Sequence, residues 1–173
     1  NCNFNHNNAS TFCAHIYVYP NTTNFLLENS NFYNGFSWKY SNVAIAANNV
    51  TVRNCTFINN TVRNNESIQA CGGGLQVGVS ETMINKGTVE NCLFINNSAI
   101  SDNETTHAGA FCFRPGIKVS NSTFINNYCN RVGGATTLHS DGDIIDCIFI
   151  NNSAGIYGGA ISTGFEVNNI SVN

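Results

Sequence analysis

The sequence predicts an all-β fold, a parallel β-helix of about six rungs running through residues 1–173 as a single segment. Three observations carry this. A seven-residue phrase recurs, as NCTFINN (Asn54 to Asn60), NCLFINN (Asn91 to Asn97), NSTFINN (Asn121 to Asn127) and DCIFINN (Asp146 to Asn152), with looser copies NSNFYNG (Asn29 to Gly35) and NCNFNHN (Asn1 to Asn7). A glycine-rich phrase follows each of the last four copies, with weaker versions FCAHIYV (Phe12 to Val18) and NVAIAAN (Asn42 to Asn48) after the first two, and a run with β-branched residues in alternation precedes the next copy. No window carries helical periodicity. A unit this short cannot bury its apolar face alone, so neighbouring copies must pair edge to edge and close a common core.

The phenylalanine is the first landmark. Phe4, Phe32, Phe57, Phe94, Phe124 and Phe149 are separated by 28, 25, 37, 30 and 25 residues, which makes rungs of roughly 25–37 residues. Stacked at about 4.8 Å per rung, Phe32, Phe57, Phe94, Phe124 and Phe149 are expected to form an internal aromatic column. Val52, Val89, Val119 and Ile144, five positions earlier, complete it. If Phe94 is interior, truncation to Ala should cost about 3–5 kcal/mol.

The paired asparagines after the Phe (Asn59 and Asn60, Asn96 and Asn97, Asn126 and Asn127, Asn151 and Asn152) suit a corner, because Asn tolerates left-handed backbone and stacked amides can bond along the axis. The glycine phrases are CGGGLQV (Cys71 to Val77), HAGAFCF (His107 to Phe113), VGGATTL (Val132 to Leu138) and YGGAIST (Tyr157 to Thr163). They read as a second tight corner, with Cys13 and Ala14, then Val43 and Ala44, in the glycine places of the first two rungs. The third element, such as NVTVRN or GIKVSN, is a strand. Polar inserts between Thr61 and Ala70, Ser80 and Gly87, and Ser98 and Thr106 are expected to bulge sideways.

Composition narrows function by exclusion. Charged residues make up 10% of the chain and the net charge is -3, so no basic face exists for nucleic acid or an anionic membrane, and no stretch is apolar enough to insert in a bilayer as a helix. The opening NCNFNHNNAS lacks a basic and apolar leader and reads as a mature soluble segment. Asparagine takes the place of charge, at 32 of 173 residues, and generates eleven Asn-X-Ser/Thr acceptors. Those at Asn59, Asn96 and Asn151 are discounted on the expectation that they form an inward amide ladder. Asn65 and Asn103, which lie in inserts, then Asn21 and Asn8, are the expected glycan sites. Eight cysteines fit an oxidising compartment. Cys55 and Cys92 fall at one position in adjacent rungs, close enough for a disulfide, with an inert thiol stack as the alternative. Cys2 and Cys147 share their column, and Cys13, Cys71, Cys112 and Cys129 are assigned to corners.

The candidate for catalysis is DGDIID, which places Asp141, Asp143 and Asp146 in one rung. A polysaccharide-cleaving site needs carboxylates converging from adjacent rungs, yet the expected neighbours of Asp143 are Lys118 and Thr88. The histidines His6, His15, His107 and His139 show no metal-ligand spacing, and nothing implies a cofactor. Glu28, Arg53, Glu90 and Ser120 should line up as an outer column of mixed charge.

Gly158, Gly159, Ala160 and Ile161 form a GGA-I motif, and Phe57 with Asn60, Phe94 with Asn97, Phe124 with Asn127 and Phe149 with Asn152 form F-x-x-N. Together they resemble the repeats of the polymorphic outer membrane proteins and related surface adhesins. The resemblance covers most of the chain and implies a right-handed parallel β-helix displayed on a cell surface, often adhesive. It departs in the first two rungs, which lack Gly-Gly, and no membrane-anchoring barrel accompanies it. The expected role is a non-catalytic extracellular structural or adhesive segment of a larger, glycosylated protein, with filament formation as an accompanying expectation. Its expected partners are flanking segments or further copies stacked end to end, and cell-surface glycans or proteins. The alternative is a carbohydrate-binding or polysaccharide-degrading β-helix.

Overall fold

The computed structural model describes residues 1–64, 70–78, 86–102, 106–113, 116–139, 141–163 and 170–172. Every strand pairing among them is parallel, and four six-stranded sheets run side by side along one axis, a parallel β-solenoid without helix in the described residues. Along the chain each rung visits them in a fixed order. The phenylalanine sheet comes first (Asn3–Asn5, Asn31–Tyr33, Thr56–Ile58, Leu93–Ile95, Thr123–Ile125, Ile148–Ile150). A short-strand sheet follows (Asn8–Ala9, Phe36–Ser37, Thr61–Asn64, Ser98–Ser101, Tyr128–Cys129, Ser153–Ala154). The glycine corner leads into the glycine sheet (Ile16–Val18, Val43–Ile45, Leu75–Val77, Phe111–Phe113, Thr136–Leu138, Ile161–Thr163). The valine sheet closes the rung (Asn24–Glu28, Asn49–Arg53, Lys86–Glu90, Ile117–Ser120, Gly142–Ile145, Ile170–Val172).

The register is set by the landmarks. Phe4, Phe32, Phe57, Phe94, Phe124 and Phe149 pair in sequence, and successive rings stack at 4.9, 5.0, 4.8, 4.7 and 4.8 Å between centroids. The four middle rings are fully buried. Val52, Val89, Val119 and Ile144 lie in the same core, as do Phe111 and Phe113.

The two asparagines of each pair have different jobs. The first turns the corner with φ near +55°: Asn34, Asn59, Asn96, Asn126 and Asn151 all have φ between 52 and 57°, and their side chains are outside. The second points in. Asn60, Asn97 and Asn127 are fully buried, and each side-chain amide donates to the Phe carbonyl one rung back while its neighbour's oxygen accepts from it. Asn97 Nδ2, for example, donates to Phe57 O at 2.9 Å and to Asn127 Oδ1 at 3.1 Å, and Asn97 Oδ1 accepts from Asn60 Nδ2 at 3.0 Å. The buried amides of Asn60, Asn97 and Asn127 are thereby satisfied.

The ladder ends where Gly35 replaces the inward asparagine. His15 fills the gap: its Nε2 sits 3.0 Å from Asn60 Oδ1 and its Nδ1 3.1 Å from Asn7 Nδ2. Because one partner is an acceptor and the other a donor, the ring is neutral with its proton on Nε2. A Cβ at Gly35 would lie 2.5 Å from His15 Nε2, so the glycine makes the room that the histidine occupies.

At the glycine corner the first residue has positive φ: 62° at Gly72, 59° at Ala108, 68° at Gly133 and 62° at Gly158. The second is glycine for a separate reason. A Cβ on Gly109 would meet Gly134 O at 2.1 Å, and one on Gly134 would meet Gly159 O at 2.0 Å, because successive corners nest backbone on backbone. In the second rung the glycine places fall not to Val43 and Ala44, as expected, but to Tyr40 and Ser41, because Val43 pairs with Leu75 and stands in the isoleucine place of GGA-I. Asn42 follows in the alanine place, and its Nδ2 donates to Gly73 O at 2.8 Å and to Thr61 O at 2.9 Å.

The expected sideways inserts are also partly corrected. Thr61–Asn64 and Ser98–Ser101 are strands, and the remainder of those inserts lies outside the described residues.

Candidate functional site

The outer surface of the valine sheet carries the expected charge column. Glu28, Arg53, Glu90 and Ser120 are register partners, and Arg53 Nη2 meets Glu28 Oε2 at 2.6 Å. Both side chains are substantially exposed, so the pair contributes little stability. Asp143 pairs in register with Lys118 and Ser171. Asp146 stands at a corner with φ of 51°. The two carboxylates therefore sit on different elements, and no second acid comes from the adjacent rung beside Asp143. A shallow groove of about 500 Å³ crosses this sheet between Leu26, Thr51, Arg53 and Lys86.

The expected glycan acceptors divide. Asn8 and Asn21 are exposed, while Asn65 and Asn103 lie outside the described residues. The reason given for discounting Asn59, Asn96 and Asn151 is overturned. They are the outward, left-handed members of their pairs, and the inward ladder is built from Asn60, Asn97, Asn127 and Asn152. Asn59 Nδ2 donates to Asn34 Oδ1 at 3.2 Å, and Asn151 Nδ2 to Asn126 Oδ1 at 2.8 Å, both in solvent.

Cys2, Ser30, Cys55, Cys92, Ser122 and Cys147 follow the left-handed residues of a third corner, and the side chains of the last five cap the carbonyl two residues back. Ser30 Oγ donates to Glu28 O at 2.8 Å and Ser122 Oγ to Ser120 O at 2.8 Å, while the thiols of Cys55, Cys92 and Cys147 do so at 3.3, 3.2 and 3.3 Å. Serine and cysteine interchange because the position asks for a small donor. Cys55 and Cys92 adjoin as free thiols. The neighbouring Cys92 thiol lowers Cys55 relative to an ordinary thiol, and the neighbouring Cys55 thiol together with burial raises Cys92. The remaining cysteines do not share one corner. Cys129 is in the wall of the short-strand sheet, packed with Val62 and Ala99, where burial pushes its thiol up to about 11. Burial pushes Cys13 up to about 12.

The outer face of the glycine sheet is where the chemistry collects. The middle residue of each strand points away from the core, giving the column Tyr17, Ala44, Gln76, Cys112, Thr137 and Ser162. Near its start Phe12 stacks on Tyr40 at 5.4 Å, with Tyr17 and Tyr19 beside them in edge contact at 5.0 Å. Phe12 and Tyr19 are 50% and 72% exposed.

Further along, Cys71, Cys112 and His139 place one ligand atom each within 4.8 Å of one another. Three elements converge to do this. Cys71 ends the two-residue strand Ala70–Cys71, which pairs with Thr106–His107. Cys112 is the outward residue of Phe111–Phe113. His139 follows Thr136–Leu138, its backbone N donating to Phe113 O at 3.2 Å. Both cysteines are buried, clustered with Ala108. The His139 ring lies 4.7 Å from that of His107, edge to face, and its Nε2 is buried without a hydrogen-bond partner. A hydrogen bond from Cys112 holds the Cys71 thiol well below the ordinary range. His139 and His107 add to this, and burial opposes it.

Sequence spacing hid this cluster. Cys71 and His139 are more than two rungs apart in the chain, and no ligand-spacing pattern links them. The available signal was the alignment of glycine phrases, which puts Cys71 and His107 in the same place before the corner.

Comparison with known proteins agrees with the architecture. Residues 146–164 match the Chlamydia polymorphic membrane protein (Chlamydia_PMP) repeat. No curated protein and no solved structure matches the chain. The matched residues contain both landmarks, Phe149 with Asn152 and the Gly158, Gly159, Ala160 corner. The chain thus carries a repeat of the Chlamydia polymorphic membrane protein type, built into a parallel β-solenoid.

Proposed function

We propose that this chain is a non-catalytic structural or adhesive segment of a protein displayed outside the cell. The observation that carries the reading is the Pmp-type repeat at residues 146–164 set in a stack where, among the described residues, Asp143 has Lys118 and Ser171 rather than a second acid beside it. Surface display is a property of the repeat's family, and a rigid β-solenoid suits it, since its register fixes side chains in rows along one axis. Flanking segments or further copies meet the two ends. The aromatic group of Phe12, Tyr17, Tyr19 and Tyr40, in which Phe12 and Tyr19 are exposed, is the contact surface for a cell-surface glycan or protein, because flat aromatic faces bury area at low entropic cost. N-linked sugars, where present, sit on Asn8, Asn21, Asn65 and Asn103, and a Cys55 to Cys92 disulfide forms under oxidising conditions.

The test has two arms. Protease treatment of intact cells carrying the native protein is expected to remove the segment, and protection until lysis would overturn display. The purified chain is expected to bind whole cells or a glycan array, to lose that binding with Phe12→Ala and Tyr19→Ala, and to turn over no member of a polysaccharide panel. Turnover lost on Asp143→Asn would establish the carbohydrate-cleaving alternative instead.

A further inference from the structure

We propose that Cys71, Cys112 and His139 form a zinc(II) site on the outer face of the glycine sheet. The donor set is two sulfurs and an imidazole nitrogen with no carboxylate, which suits a borderline-soft ion and excludes calcium or magnesium. Its ligand atoms are within 4.8 Å of one another. Tetrahedral bonds of about 2.3 Å to sulfur and 2.0–2.1 Å to nitrogen put ligand atoms about 3.5–3.8 Å apart. Side-chain rotations that draw the three together by about 1 Å are enough. The strands that hold them belong to three successive rungs, so the ion would clamp those rungs across the outside of the stack, where the aromatic core does not reach.

The surroundings favour a metal over a Cys71 to Cys112 disulfide. A disulfide uses both sulfurs and gives the adjoining imidazole of His139 no role, whereas an ion engages all three groups. His139 is itself only half-buried, which provides the entry path. Each thiol binds as thiolate, so two protons pass to solvent for every ion taken up, and the imidazole coordinates in its neutral form. The ring of His107 lies nearby, its centroid 4.7 Å from that of His139, and the fourth ligand would be that side chain or water.

The experiment uses the whole chain, reduced and metal-free, titrated with Co(II) as a spectroscopic probe and with Zn(II) in competition. The expected result is one ion per chain, a thiolate-to-cobalt charge-transfer band, and displacement of cobalt by zinc. Cys71→Ser, Cys112→Ser and His139→Asn should each weaken binding at least about 100-fold. The double variant Cys55→Ser, Cys92→Ser should leave it unchanged. Should the site variants fold poorly, alkylation of the native chain decides: zinc is expected to protect Cys71 and Cys112 selectively. Absence of the charge-transfer band, loss of binding with the Cys55 and Cys92 pair instead, or a Cys71 to Cys112 disulfide formed in the presence of zinc would overturn the proposal.

Discussion

Replacing Asn97 by leucine isolates the inward amide ladder from the aromatic stack beside it. The two side chains have the same number of heavy atoms in the same branched arrangement, so the change deletes hydrogen bonds and opens no space. Asn97 Oδ1 accepts from Asn60 N at 3.1 Å and from Asn60 Nδ2 at 3.0 Å, and Asn97 Nδ2 donates to Phe57 O and Asn127 Oδ1. Asn60 Nδ2 keeps its bond to Phe32 O at 3.0 Å, and Asn127 Oδ1 keeps Asn97 N at 2.9 Å. What is left unsatisfied is therefore the Asn60 backbone N–H, one Asn60 amide hydrogen and single lone pairs on two oxygens. Orphaned buried donors cost about 1–3 kcal/mol each, so the two at Asn60 set a loss of about 2–6 kcal/mol. For a chain of this size about 4 kcal/mol lowers the melting temperature by about 8–16 °C. The assay is urea unfolding followed by circular dichroism, alongside thermal melts. Asn126→Gly is the control, since Asn126 is exposed at φ of 53° and glycine adopts that conformation freely. A loss for Asn97→Leu no larger than that of Asn126→Gly would refute the ladder as a stabilising element.

Three further outcomes are expected. Phe94→Ala, which removes a fully buried ring stacked at 4.8 and 4.7 Å on Phe57 and Phe124, should cost about 3–5 kcal/mol in the same unfolding assay. Gly134→Ala should cost about 3 kcal/mol or more, because its Cβ would lie 2.0 Å from Gly159 O, whereas Gly159→Ala, with Asn152 O at 3.3 Å, should cost under about 1 kcal/mol. Burial, opposed by the hydrogen bond to Asn60, lowers the His15 pKa below 6.5, so the unfolded chain takes up a proton there before the folded one does. Stability should hold above about pH 6.5 and fall as pH drops through that value toward the lowered one; His15→Gln should flatten this loss in melts compared at about pH 7.5 and about pH 5.5.

Much of the fold was legible because a solenoid writes its geometry into the sequence at a fixed interval. The Phe column, the strand period and the Cys55 and Cys92 coincidence all follow from aligning copies. Four features were not legible, each for a physical reason. The short-strand sheet contains strands of only two to four residues, too few for a period to emerge. The two asparagines of a pair are chemically identical, and only backbone φ decides that Asn59 faces out and Asn60 in. His15 looked like an isolated histidine because its role depends on a missing side chain at Gly35. The thiol and imidazole cluster lay furthest from view, since Cys71, Cys112 and His139 meet only once three rungs are stacked in register.

The central claim is that residues about one rung apart in the chain lie directly over one another. Selective phenylalanine ring labelling and proton-proton Overhauser spectroscopy test it most directly in a chain of 18.7 kDa. The account predicts ring-to-ring cross-peaks linking Phe32 to Phe57, Phe57 to Phe94, Phe94 to Phe124 and Phe124 to Phe149, with no cross-peak skipping a rung. Rings without mutual cross-peaks, or Phe94 and Phe124 freely accessible to a paramagnetic solvent probe, would contradict it.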